Sequence, residues 1–410
     1  MSESCNDVPE VIGAGGSTPV HGGTLSTLAL YRLVRAAGLC LGLCLGLLVA
    51  PAFAGPVPAP PQLAANSWLL QDHDSGKLIA EHNADERVEP ASLTKMLTMY
   101  VVMSELAAGK ISLNDQVLVS KKAWKMPGSR MFIEVDTQVS VTDLIKGVII
   151  QSGNDASVAL AEHVAGDETA FSDLMNQYAQ RIGLDGSHFV NASGLPDPQH
   201  YATARDMARL AHALIRDFPE YYPLHAQKEF VYNDISQYNR NKLLWQDESV
   251  DGLKTGYTEA AGYCLVASAR REGMRLVSVV MGASGDRERA RQSRALLAYG
   301  FRFYETHRLY QAGKPIRDIR VWKGASETVS VGLRENLFVT VPRGQYEQLQ
   351  PRMEVAAQLQ APLIRGDVHG TLKVSFDGDL ILERNLVALQ TVDRGGLWRQ
   401  ASDTVRMLFE

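Results

Sequence analysis

The tightest constraint on how this chain can fold is where its strand-forming segments fall. An apolar run at Trp68-Leu69-Leu70, a turn signal at Asp74-Ser75-Gly76-Lys77 and a returning run at Leu78-Ile79-Ala80 predict a hairpin over residues 67–82. Strand patterns return only far along the chain, at residues 262–269 and 274–281, where Val and Leu dominate. Between them, residues 93–108, 141–150, 171–182 and 202–215 carry helical periodicity, and 289–299 resumes it. Strands at both ends with helices between imply an α/β domain. Its sheet is expected to be antiparallel, with a helical cluster inserted in the chain between the strands.

After Gly313 the character changes to short alternating segments, among them Leu337-Phe338-Val339-Thr340-Val341 and Leu372-Lys373-Val374-Ser375-Phe376. Asp377-Gly378, ahead of Leu380-Ile381-Leu382, is a hairpin turn signal. This part reads as a small all-β domain, a sandwich. The expected organisation is 1–54 signal peptide, 55–65 proline-rich extended leader, 66–313 catalytic domain, 314–395 β domain and 396–410 terminal helix.

Residues 1–54 are read as a secretory signal. Arg32 and Arg35 precede an uncharged, Leu-rich stretch that ends in Ala52-Phe53-Ala54, predicting cleavage before Gly55. The competing reading is a retained transmembrane helix, against which Pro51 and the small-x-small ending weigh. Of the four cysteines, Cys5, Cys40 and Cys44 fall in this segment. Cys44 follows the bulky Leu43, which argues against a lipid anchor. Cys264 alone remains, so the mature chain forms no internal disulfide and is held by packing. The 410 residues are 45% hydrophobic and 21% charged, ordinary for a soluble globular protein, and a net charge of -5 offers nothing to a phosphate backbone. Nucleic acid is excluded as a partner. In residues 396–410, Leu397, Trp398, Ala401, Val405, Leu408 and Phe409 share one helical face, with Arg399 and Arg406 on the other side. Such a helix either lies in a membrane interface or docks on the β domain, and sequence alone does not choose.

Three short patterns carry the chemistry. In Ser92-Leu93-Thr94-Lys95, the spacing puts hydroxyl and amine on one helical face, with Cβ atoms roughly 5–6 Å apart. Ser92 is the sole serine with a lysine three positions on. Ser152-Gly153-Asn154 offers a hydroxyl to relay a proton and an amide to hold a carbonyl; Ser112-Leu113-Asn114 has the same form and reads as an ordinary turn. Lys254-Thr255-Gly256 pairs two groups able to hold an anion with a glycine that lets a ligand approach the backbone. Each alone is weak: an exposed helix face, a turn, or a turn entering a strand explains it as well. Their order is the signal, since the set marks β-lactamases and penicillin-binding proteins.

The surrounding words extend the resemblance. Pro90 to Met96, Gln151-Ser152-Gly153-Asn154-Asp155-Ala156, Asp251 to Thr258, Asn191-Ala192-Ser193-Gly194-Leu195-Pro196, Tyr238-Asn239-Arg240-Asn241 and Gly300 to Thr306 resemble the low-molecular-mass D-alanyl-D-alanine carboxypeptidases, from about Ser67 to the C-terminus. The resemblance implies a β-lactamase-like catalytic domain with an appended β domain, exported and held at the periplasmic face of the inner membrane. It implies peptidoglycan stem peptides as substrate, β-lactams as inhibitors, and no cofactor or metal; the histidines show no H-E-x-x-H pairing.

It further implies Ser92 as nucleophile, Lys95 as base and Ser152 as proton relay, with Asn154, Lys254, Thr255, Gly256 and Tyr257 holding substrate. The backbone amides of Ser92 and Tyr257 would form the oxyanion hole. Arg289 would bind the terminal carboxylate, with Arg287 close by and Arg240 a further candidate. To act as base near neutrality, Lys95 must fall from roughly 10.4 to about 7, which costs its ammonium form about 4 kcal/mol. Burial and a second cation, naturally Lys254, push that way.

Two rival enzymes share the patterns. A class A β-lactamase would add a Glu in an E-x-x-L-N segment, absent between Ala156 and Val250, and would read Ser-Asp-Asn instead of Ser-Gly-Asn. A D,D-endopeptidase cuts the same kind of bond, and the appended β domain favours the carboxypeptidase. A non-catalytic wall-binding scaffold is opposed by the intact Ser92, Lys95 and Lys254.

Overall fold

The structure is a computed structural model that describes residues 57–356 and 358–408. The expected signal peptide lies outside the described residues. Five strands form the central sheet: β1 (Ser67–Asp72), β2 (Leu78–His82), β3 (Val250–Thr258), β4 (Gly262–Arg271) and β5 (Met274–Ala283). Their spatial order is β2-β1-β5-β4-β3, with every neighbour antiparallel. The N-terminal hairpin therefore joins the late strands through β1 and β5, with Leu69 opposite Val279.

The sheet is covered on both faces. Leu69, Cys264, Val266, Val277 and Val279 point into the helical cluster, whereas Trp68, Leu70, Leu265, Ala267 and Leu276 pack under a long helix at residues 286–303. Burial on both sides explains why 264–269 and 276–281 read as nearly unbroken apolar runs and not as alternation. The axis of the cluster is α1 (Lys95–Ala107), whose buried residues point in every direction, as a helix enclosed by others requires. Beside it runs α2 (Asn154–Ala165), entered through a π-helical turn at Gly147–Gln151 and a left-handed Ser152. The leader is extended but not loose: the Pro58 carbonyl accepts from Tyr299 Oη at 2.8 Å, and Ala65 N–H donates to Gln292 at 3.1 Å.

Strand Tyr304–Tyr310 pairs with Leu337–Pro342, across the boundary expected after Gly313. The other strands after residue 310 build a six-stranded sheet around their own core. Its hairpin turns at Asp377-Gly378, with Phe376 opposite Asp379. The two parts are stitched by polar groups: Thr306 Oγ1 donates to Asp72 Oδ2 at 2.8 Å, and Ser75 Oγ meets Thr340 Oγ1 at 2.6 Å. A helix at Leu397–Arg406 ends the described chain. It docks by its polar side, where buried Asp403 accepts from Lys323 N–H at 2.6 Å. Its apolar side faces out, with Leu397 84%, Trp398 91% and Leu408 78% exposed.

Candidate active site

The cleft lies where the start of α1, the entry to α2 and β3 converge. Ala91–Thr94 is a 3-10 turn leading into α1, and it puts Ser92 and Lys95 on one side. Strand β3 presses against that turn: a Cβ on Gly256 would stand 3.1 Å from the Pro90 carbonyl and 3.2 Å from Ser92 N. The glycine expected to admit a ligand therefore first admits the Pro90–Ser92 backbone. Ala91, at φ +47°, and Ser152, at φ +62°, both sit in the left-handed region, and strain held at two positions of one cleft is a mark of a functional site.

Lys95 is fully buried, and its Nζ has three partners: Ser92 Oγ at 2.9 Å, Asn154 Oδ1 at 2.7 Å and the Ser193 carbonyl at 2.6 Å. The last two can only accept. Asn154 is oriented by its own Nδ2, which donates to the Pro127 carbonyl at 2.6 Å. A neutral amine has two N–H donors and one lone pair. With both donors spoken for, the lone pair faces the Ser92 hydroxyl. Burial, aided by the Arg240 charge, brings Lys95 down to about 7, and Asp155 pulls slightly the other way. Arg240 is thus a further cation acting on Lys95, beside the Lys254 amine, with which Lys95 is in mutual repulsion. Burial first and the repulsion with Lys95 next hold Lys254 well below the usual lysine range.

Lys254 donates to Ser152 Oγ at 2.9 Å and to the Thr255 carbonyl at 2.8 Å. Ser92, Ser152, Thr255, Gly256, Tyr257, Arg240 and Arg289 all line one cavity of about 400 Å³. Lys95, Asn154 and Lys254 stand behind its wall. The two arginines differ. Arg289 is committed, paired with Asp286 at 2.6 Å and donating to the Gly256 carbonyl at 2.9 Å. Among the described residues Arg240 donates only to the Gln151 carbonyl at 3.1 Å, which leaves most of its donors for an anion. Arg287 is exposed and does not line the cavity.

Sequence reasoning had no hold on Ser129, Lys242, Tyr263 or Asp286, which complete the lining, nor on the Ser193 carbonyl. A backbone carbonyl leaves no mark in a sequence, though Asn191 to Pro196 had stood out as a word. Ser112, by contrast, sits in an exposed turn where its Oγ accepts from Asn114 N–H.

A hydroxyl aligned on the lone pair of a buried amine, with a second hydroxyl beside a second amine, defines a serine hydrolase of the Ser–Lys kind. Residues 55–285 match the family model described as D-alanyl-D-alanine carboxypeptidase, and residues 304–394 match that of the penicillin-binding protein 5 C-terminal domain. The chain is 47% identical over 382 residues to D-alanyl-D-alanine carboxypeptidase DacC of Escherichia coli, covering 91% of this chain and 96% of that protein. To DacA of Haemophilus influenzae it is 44% identical over 360 residues, 85% of this chain and 92% of that one. The crystal structure of penicillin binding protein 5 from the same organism superposes with a TM-score of 0.79 at 44% identity, covering 82% of this chain and 100% of that one. The chain belongs to the D-alanyl-D-alanine carboxypeptidase family of serine peptidases.

Proposed function

We propose that this chain removes the terminal D-alanine from peptidoglycan stem peptides through an acyl-enzyme on Ser92. The observation that carries the reading is the three-partner arrangement at Lys95 Nζ, which aims its lone pair at Ser92. Ser92 Oγ attacks the carbonyl between the two D-alanines and its proton passes to Lys95. Ser152, held by Lys254, relays that proton to the departing amine as the C–N bond breaks. Water then attacks the ester, Ser92 regains its proton, and the shortened peptide leaves. The backbone N–H groups of Ser92 and Tyr257, on segments that nearly touch, receive the oxyanion; one such donor contributes about 10²–10³ in rate. Asn154 and Gly256 fix the groups around the peptide, and no metal or cofactor takes part. The test is a muropeptide pentapeptide incubated with purified protein, and a β-lactam followed by peptide mass spectrometry. One D-alanine released per stem and an adduct on Ser92 are expected; an adduct on another residue, or no adduct with no release, sinks the reading.

Thr255 and Arg240 hold the substrate carboxylate, and Arg289 holds β3 and β4 beneath it. Arg240→Gln is expected to raise KM for a free-carboxylate peptide about 10- to 100-fold, the equivalent of ~1.5–3 kcal/mol for a charge-assisted hydrogen bond. KM for a peptide ending in an amide should change little, while kcat for both peptides shifts together because Lys95 loses a neighbouring cation. An equal rise in KM on both peptides would remove Arg240 from this role.

The enzyme acts after export, with its first 54 residues removed, at the periplasmic face of the inner membrane. Among the described residues no helix is long and apolar enough to cross a membrane. The outward apolar side of Leu397–Arg406 supports peripheral contact, because Leu397 and Trp398 gain only if an interface covers them. Replacing both by Glu is expected to shift the mature protein off vesicles in a sedimentation assay while acylation by penicillin stays unchanged. Undiminished vesicle binding would count against the contact.

A further inference from the structure

Asp155 is 1% exposed, at the first turn of α2, and among the described residues its carboxylate meets no cation. Backbone amides meet it instead: Oδ1 accepts from Met131 N–H at 3.0 Å and Ala156 N–H at 2.9 Å, and Oδ2 from Phe132 at 2.9 Å and Ile133 at 3.4 Å. Three successive N–H groups converging on one anion form a nest, here filled by a side chain of the same protein. The nest bends the chain sharply enough to hold Phe132 at φ +69°, a conformation costly for a bulky residue. Gly153 leaves room for it, since a Cβ there would stand 2.8 Å from Asp155 Oδ1.

The same loop, residues 127–133, reaches the chemistry. It gives Ser129 to the cavity wall, and its Ser129 carbonyl accepts from Asn154 N–H at 2.7 Å. Its Pro127 carbonyl holds Asn154 Nδ2, which turns Oδ1 toward Lys95. Gln237 grips the loop from the other side, through Met131 O at 3.0 Å.

We propose that Asp155 is a positioning residue that clamps loop 127–133 onto the cleft and thereby keeps the Asn154 amide oxygen on Lys95. This rests on Lys95 acting as the base. Asn154 in the opposite orientation would present an NH₂ to the amine, which would turn the lysine lone pair from Ser92. Asp155 also adds negative charge near Lys95, among Arg240, Lys254 and a neutral His200 that burial holds at about 4.

The test combines Asp155→Asn with amide exchange on the unaltered protein. In the variant an NH₂ replaces the oxygen that faced the Phe132 and Ile133 amides, so the loop is released. Acylation by a fluorescent penicillin is expected to slow about 10- to 100-fold, the usual cost of a misplaced group. Limited proteolysis should cut within 127–133 before the rest of the domain. The acid limb of the acylation pH profile should move to lower pH, because the Lys95 ammonium loses a favourable neighbour. A folded variant with parental rate, parental limb and no loop cleavage overturns the proposal; so does a slower one with neither limb shift nor cleavage. Amide exchange needs no variant: protection of Met131 and Phe132 supports the clamp, and rapid exchange there refutes it even if Asp155→Asn fails to fold. Because exchange and cleavage report on the loop, they stand or fall apart from the role given to Lys95.

Discussion

Lys95→Gln is expected to yield a folded protein that acylates on β-lactams at least ~10⁴-fold more slowly than the parent, the range seen when a member of a cooperating nucleophile–base unit is lost. Glutamine can still donate to Asn154 Oδ1 or to the Ser193 carbonyl, but its amide nitrogen has no basic lone pair. Lys95→Ala is the harsher change: it strands both buried acceptors, at about 1–3 kcal/mol each, and opens a cavity beneath Ser92. The parent profile gives the sign. The base works only as the neutral amine, so acylation should climb with pH through about 7, the value to which burial and Arg240 bring Lys95. A free lysine would keep climbing toward 10. Stopped-flow acylation between pH 5 and 9 checks both statements. A Gln variant within tenfold of the parent, or a flat profile from 6 to 8, removes Lys95 as base.

Gly194→Ala should be the costliest single methyl in the cleft. Gly194 lies at φ +82°, and an added Cβ would stand 1.9 Å from the Ala91 carbonyl oxygen and 2.5 Å from its carbon. Both are backbone atoms, with no flexible end to move aside. The left-handed penalty of about 1–2 kcal/mol adds to overpacking of about 1–3 kcal/mol, so a loss of roughly 2–5 kcal/mol is expected. Relief must come from shifting Ala91, which precedes Ser92, or the turn that carries the Ser193 carbonyl to Lys95, so acylation should fall with stability. Gly273, at φ +86° with nothing within 4 Å, is the control. Gly273→Ala should cost only the backbone share, with acylation untouched. Urea unfolding of both variants decides, and equal losses would mean that the close approach to Ala91 is not felt.

The distribution of strand signals already implied one antiparallel sheet built from strands at both ends of the domain; that β1 lies beside β5 is what the structure adds. Helix α1 was legible in position, expected within residues 93–108 and found at Lys95–Ala107, as was the hairpin at Asp377-Gly378 from its turn chemistry. Other pieces were not. Strand β3 carries Lys254-Thr255-Gly256 in its middle, yet glycines and polar residues there suggested a turn. Its strand character comes from pairing with β4, which no local preference records. The hairpin at residues 229–238, which brings Gln237 against Met131, was missed for the same reason.

What the sequence determined by itself is the set of reacting groups and their order: Ser92 with Lys95 a helical turn away, then Ser152, then Lys254. A side chain three positions along a helix is on the same face in any fold. What tertiary structure alone decided is the state of those groups. Arg240 adds its charge near Lys95, the oxygens that take the lysine N–H donors are Asn154 Oδ1 and a backbone carbonyl, and Asp155 meets amides from another loop. These follow from burial and from contacts between segments far apart in the chain, and electrostatic energy depends on distance in space, to which spacing in sequence is blind.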